Sequence, residues 1–474
     1  MALIATAMQT WRNVKGDNAV KPALSSFLKT ASVYMVGNVL SKIVALLLLP
    51  VYTTYLSPEE YGEYDLLYTI VNLVSPVLFC QIWDGMYRFA FDGGEERRDQ
   101  CVNNSLVVCL FGSVAYLVLY CFVTCCLGMH LSVFAVVYGL LLSLQYEASY
   151  CARAYFCNML FSVSGVINAV VSAVIGLLLL CFFSWGQDAL FLSAALGNLV
   201  QVIVVFGSLG IIKKFTIKDV SKSLIKQMVR FSIPLCLASL SFWLFSGFAK
   251  VVVSMMLGTA ENGLYGVIMR FTAAITLVAS VFQFAWNEAS YKMANNDSRL
   301  SLYSSATNML FELMLAVSAA FPLVVSLVFP YMVDARYSAA VLLLPAATLG
   351  TAINSFSSFL ATIFSTEKNT GLVFTSTVIG AIANMLLCPF LIMIMGLSGA
   401  LWALCLSYGA VAVIRLGYLH VRCSIKLEAQ SLLATLPLII GYIAADYGCI
   451  PIQALASIAS ISLFLWHSIN LLRR

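Results

Sequence analysis

The chain has 474 residues, of which 61% are hydrophobic and 10% are charged. Soluble globular domains carry about 25% charged residues, so this composition excludes a chain that folds mainly in water. The formal net charge of +5 does not point to a nucleic-acid partner, because membrane topology explains where the basic residues lie. We expect no nucleic-acid binding.

Apolar runs recur from Phe27 almost to the C-terminus, and many reach the roughly 20 residues that a helix needs to cross a bilayer. They are apolar on every side and lack the alternating polarity of transmembrane barrel strands. We therefore predict an all-α polytopic membrane protein with about 14 transmembrane helices. The predicted helices start near Thr30, Tyr64, Asn103, Met129, Leu160, Asp188, Phe231, Leu264, Ser305, Ala339, Gly371, Leu397, Ser431 and Ile450.

Residues 1–29 form a polar leader, and because further spans follow the first one at once, they do not resemble a cleaved signal peptide. The positive-inside rule assigns loops rich in Lys and Arg to the cytoplasm. With the N-terminus inside, nearly all basic loop residues fall on the cytoplasmic side, and the opposite side holds only Arg336. The sequence therefore predicts a multi-pass protein of the cell inner membrane, with a cytoplasmic leader and both termini cytoplasmic.

An internal repeat relates the two halves of the chain. Leu56–Tyr64 matches Leu257–Tyr265 at Leu, Glu, Gly and Tyr, and each segment lies between the first and second spans of its half. Both halves start on the same side, which is typical of a parallel repeat with a cavity between two bundles. The predicted domains are two pseudo-symmetric six-helix bundles at 30–212 and 231–420, a basic cytoplasmic linker at 213–230, and two additional helices with the C-terminus at 421–474.

Basic residues deep in the spans are candidates for a binding site, because a charge in the bilayer costs several kcal/mol. Lys42 lies near the middle of the first span, Lys250 in the seventh and Arg270 in the eighth. We predict that these three side chains line a cationic, substrate-binding cavity between the bundles. The alternative is that they reach the headgroups or pair with a buried acid.

Other ionisable residues lie closer to the span ends. We expect Arg415 to extend to the cytoplasmic headgroups, and Asp65 and Glu147 to occupy solvated positions. Glu312 lies in the ninth span near its cytoplasmic end, where it is either solvated or a coupling-ion site.

The first cytoplasmic loop contains Asp84 and Arg88, which we interpret as a cytoplasmic gate or a contact to a phosphate headgroup. A solvated connector and a topology signal are the alternatives.

No residues in the chain form a recognisable catalytic constellation or a nucleotide-binding motif. The fourteen cysteines fall mostly within spans and lack zinc-site spacing, so we interpret them as packing residues. We predict a protein that is not an enzyme and that uses no metal or cofactor. Transport would then draw on an ion gradient or on the gradient of the substrate.

Three segments resemble one family. Val39–Tyr64 is similar to the first span and loop of the polysaccharide (O-antigen) flippases, in the multidrug/oligosaccharidyl-lipid/polysaccharide exporter superfamily. Gly85, Arg88 and Phe89 resemble the family's glycine and Arg-Phe pattern, and Leu257–Tyr265 resembles the counterpart in its second half. The family often has an acidic-basic pair in the seventh span, whereas here Ala249 precedes Lys250.

The resemblance implies a flippase that moves an oligosaccharide on undecaprenyl pyrophosphate from the cytoplasmic to the outer leaflet by alternating access. Its implied partners are the lipid-linked oligosaccharide, membrane lipids and the polysaccharide polymerase machinery. The alternatives are a lipid II flippase and a cation-coupled multidrug exporter of the same superfamily, although an exporter would be expected to carry embedded acids. A sugar polymerase or ligase would need a large outer loop, and a membrane scaffold would have no reason to keep bases in its core.

Overall fold

The computed structural model describes most of the chain after residue 45. The described residues are 46–126, 132–216, 220–293, 299–367, 370–423, 425, 427–428, 431, 433, 435–446 and 450–473. The predicted leader and Lys42 lie outside the described residues.

All regular elements in the described ranges are helical, which confirms the all-α fold. Sixteen α-helices and one 3-10 helix are present there. In chain order they are α1 (Leu49–Tyr55), α2 (Pro58–Leu78), α3 (Ile82–Phe89), α4 (Glu95–Cys126), α5 (Val133–Ala154), α6 (Asn158–Phe183), α7 (Gln187–Leu209), α8 (Ile211–Lys214), α9 (Lys222–Leu257), α10 (Thr259–Met293), α11 (Arg299–Met332), the 3-10 helix (Ala335–Leu343), α12 (Leu344–Thr366), α13 (Thr370–Met395), α14 (Leu397–Cys423), α15 (Thr435–Asp446) and α16 (Ile450–Arg473).

Eight helical segments in the described residues are long and apolar enough to cross a membrane, and the bent pair α2 and α3 raises the number to nine. The protein is therefore a multi-pass membrane protein. The count of fourteen spans stays a prediction, since the first predicted span falls largely outside the described residues. The predicted division into two bundles, a linker and a C-terminal pair also stays a prediction.

The start of α2 is fixed by residues of the internal repeat. Ser57 caps the helix by accepting the backbone N–H of Glu60 at 3.2 Å, and the Glu60 carboxylate accepts the backbone N–H of Ser57 at 2.9 Å. Pro58 follows at the first helical position, where its missing N–H costs nothing. This capping box holds the first turn of α2 at the end of the molecule that the charge distribution predicts to be outer.

A sharp break separates α2 from α3. Cys80 and Gln81 adopt positive φ values of 52° and 42°, and the two helix axes differ by 48°. Because L-residues rarely adopt this left-handed conformation, the turn is specified by its surroundings and not by local preference. The break turns α3 toward α9, where the Gly85 backbone N–H donates to Ser232 Oγ at 3.1 Å.

The first turns of α2 and α10, which are equivalent in the internal repeat, pack against each other. A Cβ atom on Gly62 would lie 1.8 Å from the carbonyl oxygen of Thr259, and one on Gly263 would lie 2.1 Å from that of Pro58. The Asn262 side chain donates to the Gly62 carbonyl oxygen at 2.7 Å. The two glycines therefore allow a backbone-to-backbone contact between matched positions of the repeat, as small residues do between membrane helices.

The buried apolar residues explain how the halves of the chain are joined. One core contains residues of both halves near the predicted outer end, including Tyr61, Tyr265 and Tyr337. A second core belongs to α2 to α8 and the first turns of α9, and a third belongs to α10, α11, α12 and α14. The halves thus share a core at the predicted outer end and have separate cores at the predicted inner end.

We predict that Gly62→Ala weakens this contact, because the added methyl group overlaps the Thr259 carbonyl. Overpacking of this kind costs about 1–3 kcal/mol, so the thermal unfolding midpoint of the purified protein in detergent should fall. Gly165→Ala in α6 is the matched control, since its Cβ would meet no atom within 4 Å. A Gly62→Ala protein that is as stable as the control variant would contradict the observed packing.

Candidate functional site between the two halves

A buried ion pair joins the two halves below the glycine contact. The Lys250 ammonium in α9 lies 2.7 Å from Asp65 Oδ2 in α2, and the two side chains are 18% and 9% exposed. Lys250 also donates to Thr69 Oγ1 at 3.1 Å. The expectation that Asp65 is solvated is therefore wrong, because its carboxylate is buried and forms a salt bridge with Lys250. The acidic neighbour that Lys250 lacks in its own helix is supplied by the other half.

Arg270 of α10 lies beside this pair. Its guanidinium stands over the rings of Tyr52 and Tyr61, at 5.3 Å and 5.2 Å from their centroids. Such contacts stabilise a cation by about 0.5–2 kcal/mol and do not neutralise it. In the described part of the chain Arg270 forms no salt bridge. Lys250, Arg270 and Asp65, the inter-half charge cluster, thus hold two positive charges and one negative charge.

The predicted outer end above the cluster is closed by contacts from the first turn of the 3-10 helix. Arg336 Nη2 donates to the carbonyl oxygens of Thr53 and Thr54 at 3.0 Å and 2.8 Å. The Tyr337 hydroxyl donates to the carbonyl oxygen of Leu56 at 3.1 Å. Hydrogen bonds from the backbone and side chain of Arg336 also hold the pKa of Asp334 below its ordinary value. The end of α1 is thereby tied to the C-terminal half.

A cavity of about 370 Å³, the inter-half cavity, lies on the predicted inner side of the cluster. Trp243 of α9 lines it and donates from Nε1 to the Thr69 carbonyl oxygen at 3.1 Å, so Thr69 is bonded to both Trp243 and Lys250. Amide and aromatic side chains make up much of the wall. The lining residues are Asn72, Leu73, Pro76, Val77, Gln81, Trp83, Asp84, Tyr146, Tyr150, Ser239 and Trp243.

The structure separates the two predicted gate residues. Asp84 lines the inter-half cavity, with the Tyr150 hydroxyl beside its carboxylate. Arg88 lies one turn further along α3 and forms a salt bridge of 2.6 Å with Asp92, in which both side chains are about half exposed. Asp84 therefore faces the cavity and Arg88 does not line it, and the site roles of both residues stay predictions.

Two further ionisable residues lie away from the cavity. Glu312 is buried in α11, where Ser431 Oγ contacts its Oε1 at 2.5 Å. Arg415 of α14 is also buried, and donates to Ser357 and Ser376 at 2.6–3.1 Å. The expectation that Arg415 extends to the headgroups is wrong, because carbonyl and hydroxyl oxygens of α12 and α13 satisfy its guanidinium inside the protein.

Sequence reasoning missed the aromatic wall of the cavity. Trp83 stacks on Tyr146 with ring centroids 5.0 Å apart, although the two residues belong to different helices. In a membrane protein, aromatic residues are common at lipid interfaces as well as in cavities, so their presence alone carried no signal. The pairing of Asp65 with Lys250 was also missed, although the repeat places Gly266, which leaves room for the Asp65 carboxylate, at the position matched to Asp65.

Comparison with solved structures defines the fold as that of transporters of the MOP superfamily. The lipid II flippase MurJ in an inward closed conformation matches with a TM-score of 0.68 and 14% identity, covering 93% of this chain and 99% of that one. An inward-facing multidrug resistance MATE family transporter matches at 0.65 and 15%, covering 81% and 94%. A MOP superfamily transporter from Pyrococcus furiosus matches at 0.58 and 16%, covering 84% and 95%.

The sequence itself places the chain more narrowly. The profile of the family described as polysaccharide biosynthesis protein matches residues 27–286, which is more than half of the 474 residues. The chain belongs to this family, and the predicted relationship to the polysaccharide flippases is confirmed. Among curated protein sequences, none matches.

We predict that Asp65→Asn destabilises the protein, because it leaves Lys250 charged and unpaired between the halves. Breaking a buried pair in this way costs about 3–5 kcal/mol. The double variant Asp65→Asn with Lys250→Met should recover most of this loss, because no buried charge is then left without a partner. Thermal unfolding of the purified parent, the two single variants and the double variant measures this recovery. If the loss of stability in the double variant equals the sum of the losses in the single variants, the two residues are not coupled.

Proposed function

We propose that this protein translocates an oligosaccharide linked to undecaprenyl pyrophosphate from the cytoplasmic to the outer leaflet by alternating access, for surface polysaccharide assembly. The observation that carries the proposal is the excess positive charge of the inter-half charge cluster, next to a cavity walled by amide and aromatic groups. Family membership supports the same conclusion.

The charge of the cluster suits a pyrophosphate. An unpaired cation inside a membrane protein is unfavourable, and a bound anion would remove that cost. Arg270 carries the excess positive charge in the described structure. Lys250 could offer a second positive charge to the cargo if its ammonium moved from Asp65 to a phosphate oxygen. When no cargo is bound, the salt bridge with Asp65 neutralises the charge of Lys250. Lys42 lies outside the described residues, and its role in the same cluster is part of the proposal.

The cavity wall suits sugars. Aromatic rings such as Trp83, Tyr146 and Trp243 offer apolar faces for the C–H surface of a pyranose. Gln81, Asp84 and Asn72 offer donors and acceptors for hydroxyl groups, with few full charges. A cargo with its pyrophosphate at the charge cluster and its sugars in the cavity would fit this arrangement.

The proposed direction of transport is supported by the position of the contacts between the halves. They share a core at the predicted outer end, and the cavity lies on the predicted inner side, so cargo would enter from the cytoplasm. Opening at the other end requires that Lys250 and Asp65 separate, because they belong to opposite halves. Membrane lipids and the polymerase machinery are the proposed partners, in an inner membrane with both termini cytoplasmic.

The proposal is tested by translocation of a labelled undecaprenyl-pyrophosphate oligosaccharide in proteoliposomes. We expect Arg270→Ala, and Lys250→Met combined with Asp65→Asn so that no buried charge is left unpaired, to lower the rate by about 10- to 100-fold, since a hydrogen bond to a charged group contributes about 1.5–3 kcal/mol. Arg270→Lys should retain part of the activity. Glu63→Gln on the exposed face of α2 is the control and should behave as the parent.

Each failure has a distinct meaning. If the parent moves lipid II and not the oligosaccharide lipid, the substrate is peptidoglycan precursor and the cationic site stands. If the parent exports organic cations instead, the proposal is wrong.

We predict that Trp243→Ala separates sugar recognition from phosphate recognition. Loss of its ring should lower translocation of the oligosaccharide lipid more strongly than translocation of undecaprenyl pyrophosphate without sugars. The measurement compares both cargoes in the same proteoliposomes, with Trp185→Ala as the control because Trp185 lies outside the cavity lining at the end of α6. Equal loss for both cargoes would show that Trp243 acts only through its hydrogen bond to Thr69 and does not recognise the sugars.

A further inference from the structure

Glu147 of α5 is buried and takes no part in the site described above. Its side chain is 0% exposed, so the expectation that it is solvated is wrong. In the described part of the chain it forms no salt bridge with a lysine or arginine. Its neighbours are Ser105 and Cys109 of α4 and Cys151 one turn along α5. A carboxylate buried in this way would be strongly unfavourable.

A count of protons at Ser105 shows which form is present. Ser105 Oγ lies 2.5 Å from Glu147 Oε1 and 2.9 Å from the carbonyl oxygen of Val102. A serine hydroxyl has one proton and can donate to only one of these two acceptors. Both contacts are full two-centre hydrogen bonds when Glu147 is a carboxylic acid that donates to Ser105, which in turn donates to Val102.

The other neighbours do not change this count. The thiols of Cys109 and Cys151 lie 4.0 Å and 3.7 Å from the two carboxyl oxygens, and thiols are weak donors. They are the titratable groups that face Glu147. The helices α2, α3, α6 and α7, which also pack against α5, place no charged group against the carboxyl.

The acid is connected to the helix that carries Lys250. Asn104, next to Ser105 in α4, accepts the backbone N–H of Ser221 at 2.7 Å. Ser221 is the N-cap of α9, whose later turns contain Ser239, Trp243 and Lys250. The turn of α4 that contacts Glu147 through Ser105 therefore also anchors the first turn of α9, through the adjacent Asn104. A separation of α4 from α5 would expose the carboxyl and shift this anchor.

We propose that Glu147 is a proton-binding site that is occupied in this outer-closed arrangement and releases its proton when α4 and α5 separate. The ligand is a single proton, which passes between the carboxyl and water that enters the gap. No covalent bond other than O–H is made or broken. This site differs from the predicted coupling-ion candidate Glu312, which lies in the other half and contacts Ser431.

Infrared spectroscopy of the purified protein tests the proposal without a transport assay. The wild-type spectrum at neutral pH should contain a carbonyl stretch of a protonated carboxylic acid that is missing from Glu147→Gln and present in Glu63→Gln. Ser105→Ala is a second variant, and it should shift this band to higher wavenumber because the acid loses its acceptor. Spectra of wild type and Glu147→Gln without this difference would overturn the proposal.

Labelling of native Cys151 tests whether the proton and the conformation are linked. As the pH rises, alkylation of Cys151, quantified by mass spectrometry, should increase several-fold more in wild type than in Glu147→Gln, whose amide imitates the protonated acid. Comparison at equal pH removes the ordinary effect of pH on thiol reactivity. Equal labelling at every pH would overturn the link. Neither result depends on which lipid the protein moves.

Discussion

The ion pair between Lys250 and Asp65 is the interaction on which the arrangement of the two halves depends. It crosses from α9 to α2 directly below the contact of Gly62 with α10, and it lies above the inter-half cavity. An unpaired charge in a membrane protein is costly, so the pair favours one rotation of α2 and α9 about their axes. The same rotation directs Trp243 and Thr69 toward each other.

The internal repeat extends further than the matched outer loops. Asn104 of α4 accepts the backbone N–H of Ser221 before α9, and Asn308 of α11 accepts that of Glu428 before α15. Each asparagine also donates to the carbonyl oxygen four residues earlier in its helix. The two asparagines thus make the same contact in each half: each binds the segment that follows the last long helix of its half. In this repeat, α15 follows the second half in the same way that α9 follows the first.

Much of the helical fold could be predicted from the sequence, because long apolar runs in a bilayer have few alternatives to a helix. The start of α14 at Leu397 was predicted as well. The partners of the buried charges could not be predicted in the same way. Asp65 and Arg415 lie within two or three turns of helix ends, where sequence position alone favours the headgroups. Their burial depends on which way each helix faces, and that is set by contacts between residues far apart in the chain, such as Arg415 with Ser357 and Ser376.

The contact between α2 and α10 has a consequence for the entropy and hydration of opening. Because Gly62 and Gly263 have no side chains, parting them frees no rotamers, and the ordering cost of closing them again is small. The carbonyl oxygen of Gly62, however, would lose the amide of Asn262 and would need water in its place. Opening at this end should therefore require solvent to enter between two backbones, in addition to the separation of Lys250 from Asp65.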